Sequence, residues 1–241
     1  MKIELFPMIK FYKKVVSTNA LAIKFLEDST FQKNFVICAG EQTNGVGRLE
    51  RIWYSPVGGL WFTLAFPCNK FHSSITLFTG VVIHKVLSFI FPELTFSIKW
   101  ANDIFVNNKK LGGILTSSNK NGTVIGIGID CNIIEIPDHL KETATSLLIE
   151  TNRKLVLKKL LKVILKTFEE NFYLFNEKGF PHFVEYFNQH HYLAQKRVLI
   201  CSGENQIVGI VKGVTKDGML MLKTEKGLQS ILSADKIDII T

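Results

Sequence analysis

The sequence predicts an α+β domain followed by a small β-barrel. Two patterns carry this expectation. Up to about residue 195, apolar strand-like runs alternate with stripes of helical period. After Lys196 the chain changes to short strands separated by glycine turns. The predicted boundaries are therefore 1–195 and 196–241. With 241 residues and 46% apolar content, the chain can bury a sizeable core, which excludes wholesale disorder.

Ser17, Thr18 and Asn19 are good helix-capping residues, and Leu21, Ala22, Phe25 and Leu26 then fall on one stripe. "NFVICAGEQ" reads as a buried strand, and "GGLWFTLAFP" as a second strand ending at Pro67. The apolar stretch 73–91 is broken by Gly80, His84 and Lys85, so it predicts a buried helix rather than a membrane span. In "TFSIKWANDIFVNNKKLGGIL", Asn107-Asn108 between two apolar runs marks a hairpin turn. "GTVIGIGIDCN" follows as another strand of the same sheet. Residues 154–175 have helical period with a basic outer face, and a second helix is predicted over about 180–192. The barrel strands are "RVLIC", "QIVGIVKGVT" and "MLMLKT", divided by Ser202-Gly203, Asp217-Gly218 and Lys226-Gly227.

A formal charge of +8 predicts attraction to anions such as nucleotides, nucleic acid or acidic proteins, although most of these lysines read as solvated surface. Cys38, Cys68, Cys131 and Cys201 include no CxxC pair and read as small buried hydrophobes. His190 and His191 are neighbours that cannot share one helix face, so no histidine metal site is expected. "MKIELFPMIKFYKK" lacks a signal-peptide pattern, which predicts a cytoplasmic protein without a membrane anchor.

Four polar segments sit at strand ends or helix starts: "STN" at 17–19, "EQTNGVGRLERIWYSPVGG" at 41–59, "KWANDIFVNNKKLGGIL" at 99–115 and "IGIGIDCN" at 125–132. Gly45-Val46-Gly47 alone is a weak signal, with neither the third glycine of GxGxxG nor the GK[ST] of a P-loop. Arg48 can pair with a phosphate through its guanidinium fork. Lys99 and Lys110 flank the hairpin, and Gly112-Gly113 removes side chains where a flat ligand can approach the backbone.

Taken together and in this order, the segments resemble the catalytic domain of biotin–protein ligases, whose pattern reads STN, QTxGxGRxxRxWxSPxGG, KWPNDxxxxxxKxGGI and GIGxNxN. The likeness runs from about residue 15 to 148, and the C-terminal strands resemble the small SH3-like barrel of that family. It implies a mixed, mainly antiparallel sheet with helices on one side. It also implies a two-step reaction in which biotin's carboxylate attacks the α-phosphate of ATP, giving biotinyl-5′-adenylate and pyrophosphate. A lysine of a biotin carboxyl carrier domain then attacks the mixed anhydride. ATP with Mg²⁺ is the implied cofactor, the metal arriving with ATP on unspecified protein ligands.

By the same resemblance Ser17, Thr18, Asn19, Gln42, Gly45, Gly47, Gly112, Gly113, Gly126 and Gly128 match biotin-binding positions, joined by Arg48 and Lys110. Arg48, Arg51, Trp53, Asn102, Asp103, Lys110 and Asn132 match positions around ATP and the adenylate. Arg48, Lys110 and Asp103 are the expected catalytic group, with Gly45 and Gly47 letting the arginine loop swing closed. Val46, Leu49, Glu50, Ala101 and Asp130 depart from the family pattern. "STN" begins at residue 17, so the ligase-only form is implied, without an operator-DNA domain. Family members are often dimers through the catalytic sheet, which makes a homodimer one implied assembly. The rival readings are a lipoate or other acyl ligase of the same superfamily, a nucleic-acid-binding protein that uses the +8 charge, and a weakened ligase kept for biotin binding.

Overall fold

The computed structural model describes residues 4–28, 31–67 and 71–240, so Cys68 lies outside the described residues. In chain order the first half comprises β1 (Met8–Tyr12), α1 (Thr18–Glu27), β2 (Phe35–Ala39), a short hairpin of β3 (Gly45–Val46) and β4 (Ile52–Trp53), and β5 (Leu60–Phe66). Next come α2 (Ile75–Ile90), β6 (Phe96–Lys99), β7 (Asp103–Val106), β8 (Lys109–Asn119) and β9 (Gly122–Ile129). Helices α3 (Leu147–Thr151), α4 (Leu157–Lys178) and α5 (Val184–Gln189) precede strands β10 (Arg197–Ser202), β11 (Asn205–Val214), β12 (Leu220–Thr224), β13 (Gly227–Ile231) and β14 (Lys236–Ile239).

The main sheet has seven strands in the order β1-β2-β5-β9-β8-β7-β6. Only the β1–β2 pair is parallel; the other pairs are antiparallel, as expected. All seven residues of β5 are buried because both faces of the sheet are covered. Leu60, Phe62, Leu64 and Phe66 face α2 and α4, while Ala65, with Phe35, Ile37 and Val124, packs under Ala22 and Leu26 of α1. The helices therefore do not share one side of the sheet. Helix α1 takes the opposite face from α2 and α4, and that face carries the candidate site.

Helix α4 buries Leu160, Leu161, Ile164, Leu165, Phe168, Phe172 and Phe175 at helical spacing and leaves its lysines outside. Phe168 and Phe172 stack at 5.4 Å, and Phe78 stacks on Phe175 at 4.5 Å. Each such ring contributes roughly 1.5–3 kcal/mol by leaving water. Asn107 and Asn108 hold φ of 47° and 68°, the left-handed pair that a tight hairpin requires. The predicted second helix over 180–192 is shorter than its pattern suggested. It is a 3-10 turn at Phe180–Phe183 followed by α5, because Gly179 at φ 69° and Pro181 interrupt the α-helical ladder.

The C-terminal strands form a five-stranded antiparallel sheet in the order β13-β12-β11-β10-β14. It is tied to the first part by Trp100, whose Nε1 donates to the Gly218 carbonyl at 2.9 Å. No helix among the described residues is long and apolar enough to cross a membrane. Cys38 and Cys131 are buried free thiols, as expected of small hydrophobes, whereas Cys201 is only half-buried.

His191 sits at the junction of the two parts, its backbone bridged to Ile98 and its ring 5.2 Å from Phe187. Neither ring nitrogen has a hydrogen-bond partner, and burial pushes its pKa down to about 3. The unfolded chain takes up that proton near pH 6.5, so a protonation-linked cost grows as pH falls from about 6.5 toward 3 and is absent above that window, where only the cost of burying two unpaired ring nitrogens remains. His84, pushed down to about 4 mainly by burial, acts in the same direction. His191→Leu is expected to be more stable than the parent at pH 7.5, and its advantage should grow by about 2 kcal/mol at pH 5. Denaturant titrations at the two pH values test this; an unchanged gap would contradict it.

Candidate active site

Cross-strand register lays out the floor. Trp61 of β5 pairs with Gly128 of β9, Gly128 with Gly113 of β8, Gly113 with Asp103 of β7, and Asp103 with Lys99 of β6. A second row pairs Thr63 with Gly126 and Gly126 with Leu115. Paired residues on one face lie side by side, so the two glycines of the first row leave a trough between Trp61 and Asp103. The indole of Trp53, carried by β4, fills it. A Cβ built on Gly128 would stand 2.6 Å from Trp53 Nε1, and one on Gly113 would touch the same ring at 3.5 Å. Trp53 Nε1 is buried with no hydrogen-bond partner, a donor that lacks its acceptor.

The start of α1 supplies the polar wall. Ser17 caps the helix, its Oγ accepting from Ala20 N–H. Gln42 Oε1 accepts from the Thr18 backbone N–H at 2.8 Å and from its hydroxyl at 3.0 Å, and Gln42 Nε2 donates to Ser55 Oγ at 2.9 Å. Asn19 Nδ2 donates to the Leu115 carbonyl at 3.2 Å, while Thr63 Oγ1 lies 2.6 Å from Asn19 Oδ1 and 2.9 Å from Thr18 Oγ1. The result is a cross-linked set of amides and hydroxyls beside apolar walls, which suits a small ligand with a compact polar head.

At the other end of the trough Lys110 Nζ is 2.8 Å from Asp103 Oδ1 and 5.0 Å from the centre of the Trp53 ring. The pair is partly open to solvent, with side-chain exposures of 32% for Lys110 and 20% for Asp103. That Asp103 oxygen is buried and has only the ion pair, with no hydrogen bond. Burial pushes the neighbouring Asp130 carboxyl up to about 8, an effect the charge of Lys110 partly opposes. Burial thus favours the neutral form of Asp130, which weakens its competition with Asp103 for the Lys110 charge.

Arg48 donates through Nη1 to Asn102 Oδ1 at 3.4 Å and through Nη2 to the Ala234 carbonyl at 2.8 Å. Arg51 donates to the Asp235 carbonyl at 2.9 Å. Both arginines thus bridge from the short β3–β4 hairpin to the loop before β14. A cavity of about 200 Å³ borders Arg48 and Asn102 and includes Trp100, Thr116 and Leu232. A larger cavity of about 610 Å³ between α5 and β11 contains none of the predicted site residues.

Most residues singled out by sequence converge here, but several in a different role. Gly45 is not a free hinge: it lies in the β3–β4 ladder, and a side chain there would strike the Trp53 carbonyl and Ser55 Oγ. Of the two loop glycines, Gly47 alone could carry a Cβ, whose nearest neighbour, the Arg51 carbonyl oxygen, would stand at an ordinary contact distance of 3.5 Å. Gly126 makes room for the Asn19 carboxamide and Gly128 for Trp53, so both glycines serve the protein's own side chains. Gly112 permits close packing on β9, since a Cβ there would stand 2.6 Å from the Gly128 carbonyl oxygen. Asn132 is turned away from the site; its carboxamide donates to the Leu155 carbonyl at 2.9 Å and accepts from Leu155 N–H at 2.8 Å. Thr63 and Trp61 join the site without being marked by any sequence motif. The available signal was a lone hydroxyl inside the otherwise apolar "LWFTLAF".

The chain matches the biotin/lipoate A/B protein ligase family over residues 11–133 and the biotin protein ligase C-terminal domain over residues 196–235. It is 29% identical over 236 residues to the bifunctional ligase/repressor BirA of Bacillus spizizenii, covering 93% of this chain and 72% of that protein. Among solved structures it superposes on the biotin protein ligase of Aquifex aeolicus in complex with biotin and ATP. That match has a TM-score of 0.88 and 31% identity, covering 98% of this chain and 100% of the other. The fold is also shared with the Leishmania major biotin protein ligase in complex with biotinyl-5-AMP, at a TM-score of 0.67 and 22% identity, over 94% of this chain and 99% of that one.

Proposed function

Because the chain belongs to the biotin/lipoate A/B protein ligase family, as a biotin protein ligase, we propose that it joins biotin to one lysine of a biotin carboxyl carrier domain through biotinyl-5′-AMP. The observation that carries this reading is Lys110, an ammonium held beside an apolar trough whose far wall is the polar network of α1.

Biotin's fused rings would lie against the Trp53 indole that fills the trough, with the ureido group near Thr18, Asn19, Gln42 and Thr63. Its carboxylate would then point toward Lys110. One carboxylate oxygen attacks the α-phosphorus of ATP, and the bond to the bridging oxygen breaks. Pyrophosphate leaves with that electron pair. Bringing a carboxylate to a triphosphate is electrostatically unfavourable unless fixed cations offset it, and Lys110 and Arg48 stand where they can do so. The indole N–H of Trp53, lacking an acceptor, can donate to an anionic oxygen of the adenylate. Asn102 and Arg51 complete the nucleotide side. In the second step the unprotonated acceptor amine attacks the acyl carbon and AMP leaves; we assign Asp103, the carboxylate paired with Lys110, to take the amine's proton.

Mg²⁺ would come with the nucleotide, where it offsets the charge of the phosphates. No cluster of three His, Cys, Asp or Glu among the described residues could cage an ion, but Mg²⁺ usually relies on phosphates and water. Asp103, with one buried oxygen lacking a hydrogen bond, is the available carboxylate beside it. The C-terminal sheet, which we take to begin at residue 196 as an SH3-like barrel, would hold the arginine hairpin in place.

The direct test mixes the protein with biotin, ATP and a carrier domain, and reads the acceptor's mass. Addition of one biotin, lost when the acceptor lysine is changed to arginine, is expected. No addition to an acceptor that another ligase can modify would refute the reading. Gly126→Ala tests the ligand's placement. Its methyl would displace the Asn19 carboxamide, and the expected loss is at least about tenfold in biotin affinity with ATP affinity kept. Equal biotin affinity by calorimetry would contradict this arrangement.

A further inference from the structure

The row that forms the trough does not stop at Asp103; it continues to Lys99 at the edge strand β6. Beyond Lys110 the surface is a shelf of cations over aromatic rings. Lys99 Nζ lies 5.4 Å from the Phe105 ring centre, Phe105 stacks on Tyr192 at 4.5 Å, and Lys196 Nζ lies 3.7 Å from the Tyr192 centre. Two carboxylates face this shelf, and each is held by another lysine. Asp103 is 2.8 Å from Lys110, and Asp238 of β14 is 2.7 Å from Lys236. Among the described residues neither Lys99 nor Lys196 makes an ion pair. Four lysines therefore stand against two aspartates, leaving the shelf with an excess of two positive charges.

We propose that Lys99 and Lys196 form a clamp for the pyrophosphate portion of the nucleotide, one lysine from the catalytic sheet and one from the start of the C-terminal strands. The proposal rests on the reading of Lys110 as the cation at the α-phosphate. If the α-phosphorus lies at Lys110, with Arg48 and Arg51 on the hairpin side of the nucleotide where they are fastened to Asn102, Ala234 and Asp235, the β- and γ-phosphates need further cations on the opposite side. Lys99 and Lys196 are the uncompensated pair on the other side. Burial holds both ammonium groups below the ordinary lysine value. For Lys99 the charges of Lys110 and Lys196 add to this, while Asp103 and Asp238 oppose it. A bound polyanion would relieve that repulsion, and its release after the first step would restore it, favouring departure of pyrophosphate. Because Lys196 immediately precedes β10, the clamp also makes the C-terminal unit part of the first half-reaction.

The test is biotin-dependent ATP–pyrophosphate exchange with pyrophosphate varied, using Lys99→Gln and Lys196→Gln. Each variant is expected to raise the KM for pyrophosphate at least about tenfold and the double variant more, with biotin affinity unchanged. Transfer from preformed biotinyl-adenylate to the carrier domain should proceed at the parent rate, and Lys196→Arg should retain most of the pyrophosphate affinity. An unaltered KM for pyrophosphate overturns the proposal. So does a defect confined to the KM of the carrier domain, which would make the shelf a docking face for an acidic acceptor. If Lys99→Gln does not fold, Lys196→Gln at the half-buried rim decides alone. Absence of exchange in the unaltered protein would instead refute the ligase reading on which the clamp rests.

Discussion

Lys110→Ala is expected to abolish adenylate formation, lowering biotin-dependent exchange by about 10³-fold or more. Removing one fixed donor from a developing anion typically costs 10²–10³-fold. Here the loss is compounded because Lys110 also holds the Asp103 carboxylate at 2.8 Å, and that charge would be left beside the incoming phosphate. The fold should survive, since the Lys110 side chain is 32% exposed and a partly solvated ion pair contributes little to stability. Biotin should still bind, because its rings would rest against Trp53 and its ureido group on the α1 network. Rapid-quench measurement of labelled AMP species on the variant, alongside a biotin titration, separates the two effects. Exchange within tenfold of the parent would remove Lys110 from the reaction.

Arg48→Ala is expected to act on the intermediate instead. In the structure its guanidinium spans from the β3–β4 hairpin to Asn102 and to the Ala234 carbonyl, so the hairpin is fastened across the site. Without it, biotinyl-adenylate should escape roughly 10- to 100-fold faster, the equivalent of one charge-assisted contact of about 1.5–3 kcal/mol. Escaped adenylate acylates exposed lysines on bystander proteins. Biotin appearing on serum albumin added as a bystander, with exchange reduced far less than in Lys110→Ala, is the signature. If the variant holds its adenylate as long as the parent, Arg48 does not act as a latch.

Strands, helices and the hairpin at Asn107-Asn108 were legible because each depends on local period or on a turn that few residue types tolerate. The side of the sheet that α1 takes was not, because period identifies a buried stripe without saying which face buries it. The same limit explains the glycines. Gly126 and Gly128 read as space for a ligand, but the space is filled by Asn19 and Trp53, which lie 107 and 75 positions earlier in the sequence. Asn132 sits in a motif with site residues, yet its carboxamide is used by Leu155, a pairing that depends on the path of the chain after α3. Thr63 was hidden for the opposite reason. A single hydroxyl in a buried strand resembles a tolerated core residue until register places it beside Thr18 and Asn19.

The clamp and the latch both depend on the claim that this chain activates biotin with ATP. The measurement that tests it most directly is ATP–pyrophosphate exchange on the purified protein, with biotin in one reaction and lipoate in another. Exchange with biotin alone, abolished by Lys110→Ala, is the expected result. Exchange with lipoate instead, or with neither while biotin still binds, would contradict it.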